Sequence, residues 1–332
     1  MIWKIELTNF LVLLGLIFSI ASCSTNRAVT QMSSNKTGEL IQNFKSEGGS
    51  SGMEQIGDQS YLVVYDLKAH KQGIRMGLIK VSDESLTVSP IEIASWDLEG
   101  VPNDLESICA VPGKTDEFLV AEAGNWQGKL GRIFHVKVDI KNHTASVLGS
   151  VRLPFLHRND LDTTGDQYEA MICLPYDETS RVVLLGERGG SRVNPNGIVR
   201  WGILNIIEHT FIISDVGLKG THVNVPGDWK NNQTKRDITD FHMDDDGGLW
   251  AAASEDQGET GPFYSVIYKL GQTNPMNKEK PFTVYKTIDI SKEVSGFKIE
   301  ALSGPCKGID TSHTFGTEDE IYGGVWRPIN IE

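Results

Sequence analysis

From about residue 58 onward the chain is a succession of short apolar runs, rich in β-branched and aromatic residues and punctuated by Gly, Asn and Asp. This pattern predicts strands joined by turns. No stretch holds a helical period, so almost no helix is expected. The runs recur as units. Leu105-Glu106-Ser107-Ile108-Cys109-Ala110-Val111-Pro112 is followed by Glu117-Phe118-Leu119-Val120-Ala121-Glu122. Tyr168-Glu169-Ala170-Met171-Ile172-Cys173-Leu174-Pro175 is followed by Arg181-Val182-Val183-Leu184-Leu185-Gly186-Glu187. A looser unit pairs Thr239-Asp240-Phe241-His242-Met243 with a run ending at Glu255, and a fourth runs from Ile299-Glu300-Ala301-Leu302-Ser303 to Phe315-Gly316-Thr317-Glu318. The leading acids are spaced by 63, 71 and 60 residues. Two more strand-like runs follow each of the first three units, at 132–138 and 145–151, 198–204 and 210–213, and 264–270 and 282–285.

Four strands per unit of ~60 residues is the period of a β-propeller blade. The expected fold class is all-β: one propeller of five four-stranded blades, with six as the alternative. The first blade is expected to lack its inner strand and to begin with residues 61–66. The last unit stops one strand short, after 325–329, so both termini are expected to share one blade.

The first 22 residues stand apart from this pattern. Lys4 precedes an apolar core at 10–18, too short to span a bilayer comfortably. Ile20-Ala21-Ser22-Cys23 then resembles the bacterial lipobox, in which the cysteine is acylated and becomes the first residue. The expectation is a signal peptide at 1–22, lipid on Cys23, and anchoring by two or three acyl chains. Ser24 stands where an aspartate commonly retains lipoproteins at an inner membrane. The expected address is therefore the cell envelope, on the outer membrane. Residues 23–56 are dominated by Ser, Asn, Gln, Thr and Gly and read as a flexible linker. The propeller domain is placed at 57–332.

Asp and Glu number 44 against 31 Lys and Arg, a formal charge of −13. That argues against nucleic acid and anionic lipid surfaces as partners. Cys109, Cys173 and Cys306 remain after Cys23, an odd count that does not read as a disulfide framework. Cys109 and Cys173 lie in apolar runs and are expected as buried thiols.

The repeated acids carry the candidate chemistry. In each unit the first acid opens the inner strand and the second closes its neighbour, so a hairpin brings both to one end of the blade. Glu106 with Glu122, Glu169 with Glu187, Asp240 with Glu255, and Glu300 with Glu318 should therefore ring one channel mouth. Asp66 is the matching second-strand acid of the first blade. Such a ring needs compensation. A divalent cation such as Ca²⁺ would supply it. Arginines would too, with Arg132, Arg188, Arg200 and Arg236 placed near the same face. Backbone N–H groups of a neighbouring blade are the third solution. Asp244-Asp245-Asp246-Gly247-Gly248 reads as turn chemistry rather than a calcium loop. His242 and His313 read as core histidines. There is no Gly-x-Ser-x-Gly elbow, no HExxH and no paired-cysteine zinc spacing.

The units at 105–122, 168–187 and 299–302 resemble the phytase-like propellers known as "esterase-like activity of phytase", over roughly residues 58–330. Ser107, Ala170 and Ala301 stand where that family often has glycine, and Asp240 where it has glutamate. The resemblance implies a propeller and a phosphoester or ester hydrolase. On that reading Glu106, Glu169, Asp240 and Glu300 are the catalytic set. Together with Glu122, Glu187, Glu255 and Glu318 they would hold calcium, and Arg132, Arg188 and Arg200 would bind an anionic ester. A non-catalytic propeller that captures a ligand or protein is the alternative, and a calcium lactonase of the gluconolactonase type a third. The chain is expected to be a monomer whose fixed partner is the membrane.

Overall fold

The strand Ser180–Glu187 is buried along its whole length. Val182 and Leu184 belong to one apolar cluster, Val183 and Leu185 to another. The period-two geometry of a strand thus feeds two cores, one on each face of the blade. The same split recurs around the ring. Five clusters join blades 1 and 2, 2 and 3, 3 and 4, 4 and 5, and 5 and 1.

The structure is a computed structural model. It describes residues 28–31, 33–34, 40–44, 49–82, 85–126, 129–153, 167–190, 195–258, 261–304, 312–317 and 324–331. Cys23 and the signal segment, Cys306 and Glu318 lie outside the described residues. The described strands form a five-bladed propeller. From the axis outward, blade 1 is Ser50–Gly57, Ser60–Tyr65, Met76–Val81 and Ser85–Pro90, with Ala28–Gln31 on its rim. Blade 2 is Leu105–Ala110, Glu117–Glu122, Arg132–Asp139 and Thr144–Arg152. Blade 3 is Tyr168–Pro175, Ser180–Glu187, Gly197–Asn205 and Thr210–Ile212. Blade 4 is Lys235–Met243, Gly248–Glu255, Tyr264–Thr273 and Phe282–Val284. Blade 5 is Ile299–Ser303, His313–Thr317 and Gly324–Ile329, and it is completed by Leu40–Phe44 from the N-terminal side. The chain ends therefore meet in one blade, as expected.

The inner strand of blade 1 corrects the expected boundary at residue 56. Ser50–Gly57 is not linker but the first strand of the propeller. Its buried positions are Ser50, Ser51, Gly52 and Met53, which carry no apolar run to betray a strand. Small residues are required there. A Cβ on Gly52 would stand 2.8 Å from Ser107 Cα in the next blade. Among the described residues the single α-helix is Asp215–Lys219, capped by Ser214. No helix among them is long and apolar enough to cross a membrane. The Asp-Gly segment of blade 4 is a hairpin turn: Asp244 Oδ1 accepts from the backbone N–H of Asp246 and Gly248, and Gly247 has φ +78°. Cys109 and Cys173 are buried free thiols.

Candidate functional site

Every inner strand breaks register near its start. In blades 2, 3 and 5 one residue is left unpaired between two ladder pairs: Glu106 between Leu105 and Ser107, Glu169 between Tyr168 and Ala170, and Glu300 between Ile299 and Ala301. A bulge re-aims its side chain. These three carboxylates meet at one mouth of the ring, in a cavity of about 160 Å³. Asp66 and Lys68 of blade 1 line it too, as do Asp104, Gln167, Arg188, Arg236, Thr239, Asp256 and Lys298.

Blade 4 departs from the expected pattern. Lys235 pairs with Glu255 as Tyr168 pairs with Glu187, but residues 237–239 then bulge out before Asp240 rejoins the ladder opposite Ala252. The extra residues carry Asp240 past the mouth. Arg236 and Thr239 take its place in the cavity. Asp240 is buried and bound, with Oδ1 accepting from Phe241 N at 2.8 Å and Oδ2 from Leu302 N of blade 5 at 2.7 Å. Burial holds its carboxyl well above the usual range against these two N–H groups. It staples blades 4 and 5 and is not part of the mouth.

The second-strand acids are also placed elsewhere than expected. None of Glu122, Glu187 and Glu255 lines the cavity. Glu122 accepts from Arg132 Nη2 at 2.6 Å, Arg132 Nε at 3.1 Å, and the backbone N–H of Asn103 and Arg132. Glu187 takes Arg200 Nε and Nη2 at 3.2 and 3.0 Å. Glu255 accepts from the backbone N–H of Lys230 and Asn231 and from Gln257. Arg132 and Arg200 are thereby withdrawn as ligand-binding groups. Both are buried, and their remaining donors go to Asp97, to the carbonyls of Gly100 and Val101, and to that of Leu218. Of the expected arginines, Arg188 and Arg236 reach the cavity.

Each cavity cation has an acidic partner. Arg188 Nη1 lies 3.1 Å from Glu169, Lys298 Nζ 3.2 Å from Glu300, and Arg236 Nη2 3.4 Å from Asp256, while Lys68 pairs with Asp104. The electrostatics are uneven. Burial, reinforced by the Glu169 charge and opposed by Lys298, lifts the Glu300 carboxyl to about 7. Burial also raises Asp104 despite Lys68. Asp256 goes the other way: burial pushes it up, but Lys298, Arg236, Arg188 and the Gly258 N–H outweigh that and hold it low. Burial, with Arg188 beside it, holds Arg236 below the usual guanidinium value.

The expected calcium ion does not fit these residues. Calcium takes six to eight oxygen ligands converging on one point. Among the described residues no three His, Cys, Asp or Glu side chains converge to hold an ion. Four cationic side chains share the cavity with its acids instead. Lys68, Lys298, Asp104, Asp256 and Gln167 carry no signal in the sequence. They sit just before an inner strand or just after a second strand, and no repeat marks them.

No protein-family model matches the chain, and no curated protein matches it. The phytase-like resemblance is thus not accompanied by a family match. Among solved structures, the chain is similar to a luciferin-regenerating enzyme, at 11% identity and TM-score 0.43, covering 88% of this chain and 96% of that one. It is similar to a glycoside hydrolase of the GH130 mannoside phosphorylase family that targets β-1,2 mannosidic linkages in Candida mannan, at 10% identity and TM-score 0.47, covering 91% and 89%. A thermostable family-43 glycoside hydrolase aligns at 9% identity and TM-score 0.47, covering 86% and 89%.

Proposed function

We propose that this chain is an exported, lipid-anchored hydrolase that works by acid–base catalysis at the mouth cavity, with Glu300 as proton donor and Glu169 as the base that activates water. The observation that supports it is a pair of carboxyls in one cavity with different environments. Glu300 is lifted to about 7 by burial, and Glu169 pairs with the Arg188 guanidinium at 3.1 Å. A buried carboxyl that keeps its proton near neutrality suits the acid role, and the second carboxyl in the same cavity is placed to serve as base. In the step, water attacks the carbonyl or phosphoryl centre and gives its proton to Glu169. The leaving oxygen takes the Glu300 proton as its bond breaks. The ester or phosphoester class of the substrate rests on the phytase-like resemblance. No step uses a metal.

The test is a panel of phosphoesters, carboxylic esters, lactones and glycosides on the full chain. Turnover of one class is expected, with an acidic group near pH 7 on the high-pH limb. Glu300→Gln should lower kcat by about 100-fold or more and remove that limb. No turnover anywhere, or an unaffected Glu300→Gln, overturns the reading. The ion pairing of every cavity cation favours one other reading, a propeller that captures a polar ligand without chemistry; it predicts binding with no turnover. The anchor at Cys23 is part of the proposal. Cys23→Ala should release the protein from the membrane fraction, and unchanged fractionation would remove the anchor from it.

A further inference from the structure

Arg188 and Arg236 both line the mouth cavity, on the edges of blades 3 and 4. Two guanidinium groups in one small cavity repel each other. Each has one carboxylate partner, Glu169 at 3.1 Å and Asp256 at 3.4 Å, both on Nη atoms. The Nε–H of each arginine is buried with no hydrogen-bond partner, and so is Oε1 of Gln167, which lines the same cavity. A buried donor or acceptor that meets no partner destabilises the fold until a ligand group meets it. Two donors and one acceptor are left unmet together at one cavity. The position next to Arg236 is also built closely, since a Cβ on Gly190 would strike its guanidinium.

We infer that this sector of the cavity is a subsite for an oxyanion that carries its own hydrogen-bond donor, seated on the Nε–H groups of Arg188 and Arg236 with its donor on Gln167 Oε1. The acceptor sharpens the class. A bare anion would satisfy the arginines and leave Gln167 unmet. A hydrogen phosphate group, or a carboxylate with a hydroxyl on the adjacent carbon, satisfies all three. The inference deepens the proposed hydrolase by naming the group its substrate presents. It rests on that reading only for the cavity's being an active site.

The experiment is calorimetric titration of the full chain at low salt with four probes: inorganic phosphate, sulfate, glycolate and acetate. Sulfate and acetate lack the donor. Phosphate is expected to bind about tenfold tighter than sulfate, and glycolate about tenfold tighter than acetate. Gln167→Leu should abolish both preferences while sulfate still binds. Arg236→Gln should weaken phosphate about tenfold or more. Arg236→Lys, which keeps the charge and loses the Nε–H, should do the same if the glutamine variant does not fold. Equal affinities within each pair, or phosphate binding unchanged in the arginine variants, overturns the subsite. Glu300→Gln separates the two readings. If it and the parent bind phosphate but the parent turns over nothing, the hydrolase fails and the subsite stands. If uncharged esters are hydrolysed and phosphate neither binds nor inhibits, the subsite fails and the hydrolase stands.

Discussion

Glu187 and Glu169 belong to the same repeat, and their side chains meet opposite fates. Glu187 closes the second strand of blade 3, is fully buried, and is bound through one oxygen by both Nε and Nη2 of Arg200. Glu169 is bulged out of the inner strand into the cavity and holds Arg188 by one Nη, and that arginine's side chain keeps 22% of its surface exposed. Glu122 with Arg132 repeats the first arrangement. Glu300 with Lys298 repeats the second. The difference lies in where the backbone leaves the ladder. In register, an acid at the strand end is consumed by the architecture. At the bulges of blades 2, 3 and 5 it is delivered to the channel mouth.

The largest effect should come from breaking the closed set. Arg200→Ala leaves the Glu187 carboxylate buried without its guanidinium and should cost about 3–5 kcal/mol. Arg188→Ala, at a partly exposed pair, should cost about 1 kcal/mol or less. Urea unfolding at neutral pH reads both. Equal costs would erase the distinction between a structural and a functional set of acids.

Much of this arrangement could be read from the residues. The repeat unit predicted five blades, closure from both ends, and the mouth position of Glu106, Glu169 and Glu300. Glu122 with Arg132 and Glu187 with Arg200 recur as acid then arginine, which is the signal of the arginine solution to acid crowding. What stayed hidden has physical causes. Ser50–Gly57 is a strand whose buried positions are two serines, a glycine and one Met, because at Gly52 blade 1 approaches blade 2 too closely for a side chain. Asp240 aligned with Glu106 by the apolar run that follows it. The extra bulged residues at 237–239 shift the frame, and no pattern of hydrophobicity reports a bulge. Lys68 and Lys298 occur once each, outside the repeat.

Glu54 offers a third situation, an inner-strand acid that forms no ion pair among the described residues. It sits on the inner strand Ser50–Gly57 of blade 1 and is partly buried. Burial lifts its carboxyl to about 8, with the Ala110 N–H opposing. Because the folded value lies above the ordinary value of 4.5, the protonated form favours folding. That contribution is complete below about pH 4.5 and is lost as pH rises through about 8. Glu300, at about 7, adds a smaller loss over the same interval. Stability should therefore fall between pH 5 and pH 8. Glu54→Gln should recover about 2–4 kcal/mol at pH 8.5 and change little at pH 4.5. A flat stability profile in the parent would show that the channel solvates Glu54 and that depth alone does not set the environment of inner-strand acids.

The sharpest version of the comparison lies in two neighbouring residues. Glu255 ends the second strand of blade 4 and is fully buried, accepting from the backbone N–H of Lys230 and Asn231 and from Gln257. Asp256 follows it, lines the cavity, and meets Arg236 at 3.4 Å. Glu255→Gln replaces a charged acceptor of two backbone donors by a neutral one and should cost about 1–2 kcal/mol. Asp256→Asn removes one side of a long, partly exposed pair and should cost less than about 1 kcal/mol. Its consequence should appear in binding instead. With the negative charge gone from beside Arg236, phosphate should bind about two- to tenfold tighter. Thermal melts and phosphate calorimetry on the two variants separate the roles, because a closed acid moves the melt and an open one moves the affinity. If Asp256→Asn lowers the melt as far as Glu255→Gln and leaves phosphate affinity unchanged, the cavity acid is structural as well, and the division between closed and cavity acids does not hold in blade 4.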